Sequence, residues 1–337
     1  MRIFSGIQPT GSKHLGNFLG AIVQYVDSQE RGEGIFCVVD LHALTVPFDP
    51  AELRERVHDT VAILLAAGLD PSRCTLFRQS DVPEHTEMTW LLSTVTELGR
   101  LQRMHQFRDK SLHDRELVSA ALLVYPVLMA ADVLCYRAEE VPVGEDQREH
   151  VELMRDVARR FNSRFGAGED VLVVPELRIP AVGARIMDLQ DPSVKMSTTG
   201  GSEQGTVYVL DEPAAIERKL KSAVTDSGEE IRRAREKPGI TNLIETLAAV
   251  RGSDPARIEE EFAGKRYGEF KTAVAQALVE RLAPVRERYA ELRADTDAME
   301  SILAEGAARA QAIAAETLAD VRERMGVGAP RRARSLP

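Results

Sequence analysis

The sequence has few cysteines, and they are not arranged for a disulfide framework or a metal cage. Cys37, Cys74 and Cys135 are an odd number, lie far apart and form no Cys-x-x-Cys pair. The amphipathic segment 148–161 contains no His-Glu-x-x-His pattern either. Such spacings are typical neither of a disulfide scaffold nor of a zinc site, so we expect reduced core cysteines and no protein-bound metal.

Long apolar runs are also missing. No segment approaches the roughly 20 apolar residues that a membrane-spanning helix needs. Met1 leads directly into a short apolar strand rather than into a charged and then apolar export signal. We therefore expect a cytoplasmic protein that does not contact membranes.

A positive charge excess is absent as well, since the formal net charge is -10. This balance argues against non-specific coating of nucleic acid, which depends on neutralising phosphates with Lys and Arg. Any RNA contact must be local, at the basic clusters 218–221 and 231–235 or in the tail 331–334. Taken by themselves, these clusters are better explained as a solvated helix face or a frayed chain end.

The chain divides by pattern into an α/β lobe and a helical lobe. With 337 residues and 44% hydrophobic composition it exceeds what one core usually fills, which favours two domains. Short apolar runs alternate with amphipathic stretches in the first half, as in a parallel sheet covered by helices. The predicted strands are 2–7, 35–39, 75–77 and 171–174, and the predicted helices there include 15–26, 53–64 and 148–162.

Beyond about residue 211 the strands end and charged, alanine-rich helical patterns follow. The predicted helices are 214–221, 242–250, 270–292 and 299–325. No Gly-x-Gly-x-x-Gly fingerprint follows the first strand, which disfavours a nicotinamide enzyme. The fold class that we predict is α/β, with a Rossmann-like parallel-sheet catalytic domain and an all-helical C-terminal domain.

An anion-binding corner is predicted where the first strand turns into the first helix, at residues 10–17. Free backbone N–H groups and the helix dipole point outward at such a corner, and Gly16 permits close approach of a ligand to the backbone. His14 and Asn17 lie three residues apart, so both side chains can reach the same ligand. By spacing alone, the two residues are more often a helix cap and a surface residue.

Two segments carry a family resemblance. The run 5–11 (SGIQPTG) followed by 14–17 (HLGN) resembles the "HIGH" signature of class I aminoacyl-tRNA synthetases, and 195–199 (KMSTT) is similar to their "KMSKS" loop. Within the class, 144–147 (GEDQ), 148–162 and 182–187 (VGARIM) look like the tryptophanyl enzymes. The similarity runs from residue 3 to about residue 328.

The resemblance implies activation of tryptophan with ATP and transfer of the product to tRNA(Trp). The tryptophan carboxylate would attack the α-phosphorus of ATP, so the protein must align the reactants and stabilise phosphate charge, with Mg²⁺ bound to ATP. Lys195 would hold the departing pyrophosphate, with His14, Asn17 and Lys110 as further catalytic residues. The implied ATP contacts are Gln8, Pro9, Thr10, Gly16, Asn17, Gly144, Glu145, Asp146, Ile186, Lys195, Met196, Ser197, Thr198 and Thr199.

The tryptophan site is expected on the segment 125–132. Met129 and Asp132 lie three apart on one helical face, so a thioether and a carboxylate can meet the same ligand. By spacing alone, they also fit a core residue and a helix-end charge. The resemblance implies that Asp132 accepts the indole N–H, that Tyr125 and Gln147 hold the amino-acid end, and that the slot is lined by Met129, His42, Phe4, Gly6, Val141 and Val143.

The resemblance further implies a homodimer and three regions: a catalytic domain at 1–200, a helical anticodon-recognition domain at 201–290, and a C-terminal segment 291–337 that packs back on the catalytic domain and ends in a basic tail. One departure is Thr198, where the family usually has a second loop lysine; Thr199 replaces the final serine. Alternative interpretations are a tyrosyl-tRNA synthetase, a nucleotidylyltransferase, or a synthetase-like binding or regulatory protein with weak or lost activity.

Overall fold

The computed structural model describes residues 1–105, 107–108, 119–179, 186–197 and 202–329. Its centre is a five-stranded sheet in the order β3-β2-β1-β4-β5, in which every pair is parallel. The strands are β1 (Arg2–Ile7), β2 (Glu33–Val38), β3 (Cys74–Arg78), β4 (Glu140–Pro142) and β5 (Glu176–Arg178).

Helices connect the strands, and after β5 the described chain contains no further strand. The helices are α1 (Leu15–Asn17), α2 (Val23–Ser28), α3 (Asp40–Ala43), α4 (Pro50–Ala66), α5 (Glu84–Ser93), α6 (Leu98–Arg103), α7 (Ala120–Leu134), α8 (Arg148–Phe165), α9 (Pro213–Lys221), α10 (Pro238–Arg251), α11 (Pro255–Glu261), α12 (Tyr267–Arg293) and α13 (Thr296–Met325). The predicted fold class, a Rossmann-like parallel sheet followed by helices, is confirmed.

One predicted strand, at 171–174, is wrong. The side-chain amide of Asn162 donates to the carbonyl of Leu172 (2.8 Å), and the Leu172 N–H donates to the Asn162 Oδ1 (2.9 Å). Because one side chain satisfies both backbone groups, this segment has no need of a neighbouring strand. The sheet instead gains β4 and β5, which are only three residues each and too short to give a clear periodic signal.

Alternation along the strands separates two hydrophobic cores. Phe36 and Val38 of β2 belong to one core and Ile35 and Cys37 to the other, because successive side chains point to opposite faces of a sheet. The first core continues into the helical lobe, so that lobe and sheet share buried surface. The three cysteines are buried with free thiols.

The long final helix α13 lies along the edge strand β3. Gly306 sits so close to it that a Cβ there would come within 1.8 Å of the Leu76 carbonyl oxygen. Glu300 forms an ion pair with Arg78 of β3 (3.0 Å) and a hydrogen bond with His58 of α4 (2.7 Å). The helix therefore covers a strand edge that would otherwise present unpaired backbone groups to solvent. Within the described residues, no helix has the length and apolar character that crossing a membrane requires.

Replacing Gly306 with alanine is expected to destabilise the protein. Alanine normally gains about 0.5–1 kcal/mol over glycine inside a helix, but here the added methyl must displace a strand carbonyl, and such overpacking costs about 1–3 kcal/mol. Urea unfolding of the full chain should show a lower midpoint. Gly268→Ala is the matched control, since no atom lies within 4 Å of a Cβ at that helical position. A Gly306→Ala midpoint equal to or above that of the wild type would contradict close docking of α13.

Candidate active site

The sheet order places a crevice beside the carboxyl end of β1. The chain pairs β1 with β2 on one side and with β4 on the other, so the loops that leave β1 and β4 diverge at this point. Ligands of open parallel sheets bind at such a switch point. The corner 8–14 follows β1 and the segment 143–147 follows β4, which brings two predicted parts of the site to one edge.

His14 and Asn17 pair with each other at the first helix. The Asn17 N–H donates to the His14 Nδ1 (3.4 Å), and the His14 N–H donates to the Asn17 Oδ1 (3.1 Å). Burial, followed by the positive charges of Lys195 and Lys13, lowers the pKa of His14 to about 4. The ring is therefore neutral near pH 7, and because Nδ1 accepts a hydrogen bond, the ring proton lies on Nε2. The residues form a cap, as spacing alone favoured, and His14 keeps one donor for a ligand.

Lys13 is a functional candidate that the sequence interpretation missed. Its ammonium group is buried and donates to the carbonyl oxygens of Gln8 (2.6 Å) and Thr10 (3.3 Å), which fixes the turn that carries the predicted ATP contacts. Burial, followed by the charge of Arg56, lowers its pKa to about 8. Sequence spacing gives no signal for this role, because the lysine binds the turn in which it stands.

The distant segment 186–197 lies against the same corner. The Met196 N–H donates to the Ile186 carbonyl (2.9 Å), and Met187 and Lys195 form an antiparallel bridge. The next stretch attaches to the corner itself, since Leu15 N–H donates to the Val207 carbonyl (2.8 Å). Thr206 donates its hydroxyl to the Ser197 carbonyl (3.3 Å). This hairpin-like arrangement holds Lys195 close enough to His14 to influence its pKa.

Gly16 of the corner and Ile186 of the distant segment lie close together. A Cβ at Gly16 would come within 3.0 Å of the His14 ring and 3.8 Å of the Ile186 Cβ. Larger side chains would therefore fill the space in front of the helix start. The Lys195 Nζ lies 3.7 Å from the Asp146 Oδ1, and both side chains are about half exposed. Such a loose, solvated pair is easily exchanged for phosphate oxygens.

The segment after β4 is a short turn with acidic side chains. Gly144 precedes the turn Glu145–Gln147, and a Cβ at Gly144 would lie 2.6 Å from the Asp146 Oδ1. Gln147 donates to the Asp146 Oδ2 (2.9 Å), so its amide is bonded within this turn. Pro9, too, is buried at the corner. Three predicted site residues lie outside the described part of the chain: Lys110, Thr198 and Thr199.

Asp132 lies at the centre of a buried polar network. It is 2% exposed, and its Oδ2 is 2.7 Å from the His42 Nε2. The Oδ1 accepts from the Gln79 amide (2.7 Å) and is 2.6 Å from the His85 Nδ1. Burial alone would raise the pKa of Asp132, but the charge of His42 and the hydrogen bonds of His42 and His85 lower it well below its ordinary value. The residue is a buried, ionised acceptor rather than the helix-end charge that spacing also allowed.

The remaining predicted slot residues contact members of this network or pack in the hydrophobic core beside it. Tyr125 bonds His150 through its hydroxyl (2.9 Å) and meets the edge of the His42 ring at 6.3 Å. Phe4 stacks on Tyr136 at 5.6 Å. A Cβ at Gly6 would come within 2.9 Å of a Val39 methyl, so no side chain fits at Gly6. Val141 is buried, and two others, Met129 and Val143, pack partly buried against the same core.

Comparison with known proteins agrees with this geometry. A family model described as "tRNA synthetases class I (W and Y)" matches residues 1–283. The chain belongs to this family. It is 50% identical over 328 residues to tryptophan–tRNA ligase 2 of Streptomyces avermitilis, covering 96% of each chain. The resemblance to tryptophanyl-tRNA synthetases that we drew from the sequence is thereby confirmed.

Solved structures of the family share the fold. A tryptophanyl-tRNA synthetase from Mycoplasma pneumoniae superposes with a TM-score of 0.89 at 36% identity, over 97% of this chain and 98% of that one. The Campylobacter jejuni enzyme, in complex with ADP and tryptophan, gives 0.80 at 32% identity, over 97% of this chain and 100% of that one. Both likenesses extend through the helical lobe as well as the sheet.

The His14 ring is expected to titrate at about pH 4 instead of 6.5. Since the unfolded chain binds this proton at the higher pH, the free energy of unfolding should fall as the pH drops from 6.5 towards 4, and less steeply in His14→Asn. NMR titration of the ring, assigned by its loss in His14→Asn, measures the midpoint. In Lys195→Ala the midpoint should rise, because the positive charge of Lys195 is one of the causes that lower the pKa of His14. A wild-type midpoint near 6.5 would contradict both the burial of His14 and its closeness to Lys195.

Proposed function

We propose that the chain is a tryptophan–tRNA ligase: it converts L-tryptophan and ATP into tryptophanyl-AMP and pyrophosphate, and then transfers tryptophan to tRNA(Trp). The observation that carries the proposal is that three features lie at the carboxyl edge of the sheet: the corner with His14, the loop with Lys195, and the buried acceptor Asp132, which bonds His42 after β2 and Gln79 after β3. The names of the relatives favour tryptophan over tyrosine.

The first step needs alignment more than a protein nucleophile. The tryptophan carboxylate is already an anion, attacks the α-phosphorus in line, and displaces pyrophosphate as a new C–O–P linkage forms. The backbone at Gly16 and the Nε2–H of His14 can donate to phosphate or ribose oxygens as they approach the helix start. The cation at Lys195 then stabilises the negative charge that develops on the leaving pyrophosphate.

Magnesium enters this proposal bound to ATP. Among the described residues, no group of three or more His, Cys, Asp or Glu side chains is arranged to hold a metal ion. The donor set fits Mg²⁺ held by substrate phosphates with at most one or two carboxylates, and Asp146, which lies near Lys195, would be the carboxylate for that role. The ion would neutralise phosphate charge, while Lys195 and His14 orient the same phosphates.

Tryptophan is selected by one acceptor in an apolar slot. An indole has a large apolar surface and a single N–H donor. In this proposal the buried, ionised Asp132 accepts that N–H, and Phe4 and Met129, which pack in the same core, line the slot for the ring. Phenylalanine would leave that buried acceptor unpaired, which strongly disfavours its binding. In this proposal Tyr125, which His150 holds in place, contacts the amino-acid end together with Gln147.

The tRNA is assigned to the helical lobe, with anticodon recognition at 201–290 and the segment 291–337 returning to the catalytic domain at 1–200. Part of the basic clusters is already used internally. Lys219 is buried and pairs with Asp211 at 2.7 Å, and the Arg232 and Arg233 side chains pair with neighbouring glutamates. We therefore assign the tRNA backbone contacts to three exposed cations: Arg218, Lys221 and Arg235. A cytoplasmic homodimer completes the proposal.

The deciding test is amino-acid-dependent exchange of pyrophosphate into ATP. Wild-type protein should exchange with tryptophan; exchange with tyrosine alone would favour a tyrosyl enzyme, and no exchange would favour an inactive relative. Lys195→Ala should lower kcat by on the order of 100-fold, because charge stabilisation at the leaving group is lost. The KM for tryptophan should change little.

Lys265→Ala serves as the matched lysine control, since Lys265 is exposed in the helical lobe away from the sheet edge. It should leave both kcat and KM unchanged. Equal losses of kcat in the two variants would contradict a role of Lys195 in stabilising the phosphates.

A further inference from the structure

The carboxylate of Asp132 has one oxygen that is saturated and one that is not. Oδ1 takes two partners, Gln79 and His85, which use its two in-plane lone pairs. Among the residues that the structure describes, Oδ2 has one partner, His42. Oδ2 is therefore the oxygen that can accept one more hydrogen bond. It can do so only while the carboxylate keeps the orientation that Gln79 and His85 impose.

The direction of each hydrogen bond in this network follows from its neighbours. An ionised carboxylate oxygen can only accept, so the Asp132 Oδ1, at 2.6 Å, requires the ring proton of His85 on Nδ1. With the proton on Nδ1, the His85 Nε2 is an acceptor, and the Tyr136 hydroxyl at 2.5 Å donates to it. Burial raises the pKa of this hydroxyl well above its ordinary value, so it keeps the proton that it donates. Both hydrogen bonds, from Tyr136 to His85 and from His85 to Asp132, are therefore donated in the direction of the carboxylate.

We propose that His85, oriented by Tyr136, is a positioning residue that sets Asp132 as the indole acceptor and thereby determines the preference for tryptophan. This inference rests on the proposed function, in which Asp132 accepts the indole N–H. His85 is fully buried and lies behind the carboxylate, bonded on both ring nitrogens, so it acts through Asp132. It was not among the residues that the sequence indicated.

Loss of His85 should weaken the acceptor in two ways. One lone pair of Oδ1 becomes unpaired in a site that water does not reach, which favours rotation or protonation of the carboxylate. A protonated or rotated Asp132 offers the indole N–H a poorer acceptor. An apolar ring of the same shape would still fill the amino-acid slot. The variant should therefore lose the hydrogen bond to the indole N–H and keep its contacts with the ring.

The test compares tryptophan with β-(3-benzothienyl)-alanine, in which sulfur replaces the indole N–H. The measured quantity is the ratio of kcat/KM for the two amino acids in pyrophosphate exchange. His85→Leu should lower this preference at least about tenfold, mainly through KM for tryptophan, since binding rather than chemistry is affected. His85→Asn, whose amide can donate from nearly the place of Nδ1, should restore much of it.

His58→Leu is the matched control. His58 also bonds a carboxylate at 2.7 Å, that of Glu300, but at the docking surface of the final helix. It should leave the preference unchanged. If His85→Leu lowers kcat/KM for both amino acids equally, its role is structural only and the inference is overturned.

Tyr136→Phe keeps the test decisive should His85→Leu fail to fold, because it removes one hydroxyl and retains the ring. It should lower the preference several-fold in the same direction, and an unchanged preference would overturn the inference.

Asp132→Asn separates this inference from the proposal on which it rests. The two donors at Oδ1 would attract the amide oxygen, so the amide nitrogen would face the indole N–H and the preference should collapse. An unchanged preference in that variant contradicts the acceptor role itself, and the inference about His85 falls with it. A collapse in Asp132→Asn with no change in His85→Leu contradicts His85 alone.

Discussion

The position of β1 between β2 and β4 is the constraint on which the site depends. Parallel pairing brings the carboxyl ends of all three strands to one edge, and the chain leaves that edge in opposite directions on the two sides of β1. The crevice so formed receives the corner with His14 from one strand and the turn with Asp146 from the other. If β1 were an edge strand, the corner and the turn would not lie on either side of one crevice.

Two different electrostatic environments follow the strands at that edge. At the corner, Lys195 supplies positive charge while burial keeps the neighbouring His14 neutral. On α7, the buried carboxylate of Asp132 is held ionised by donors from His42, Gln79 and His85. Under the proposed function, the first environment suits phosphates and the second suits the indole N–H.

The helical lobe is tied to the sheet through the long final helix. Gly306 allows backbone contact with β3, and Glu300 bonds both Arg78 and His58. The loop that carries Lys195 is joined to the same lobe, because Asn242 of α10 bonds the Met187 backbone in both directions (2.9 and 3.0 Å). The placement of Lys195 is thus coupled to helices that lie well beyond the sheet.

The sequence alone determined the central strands, the long helices and the two signature segments, because periodicity, caps and turns are properties of neighbouring residues. It placed a strand at 171–174, where Asn162 replaces strand pairing, and it did not identify Lys13 or the network behind Asp132. Only the tertiary structure decided that His85 and Asp132, which lie 47 residues apart, share a hydrogen bond. Such a contact depends on the order and packing of strands and helices, which no local spacing encodes.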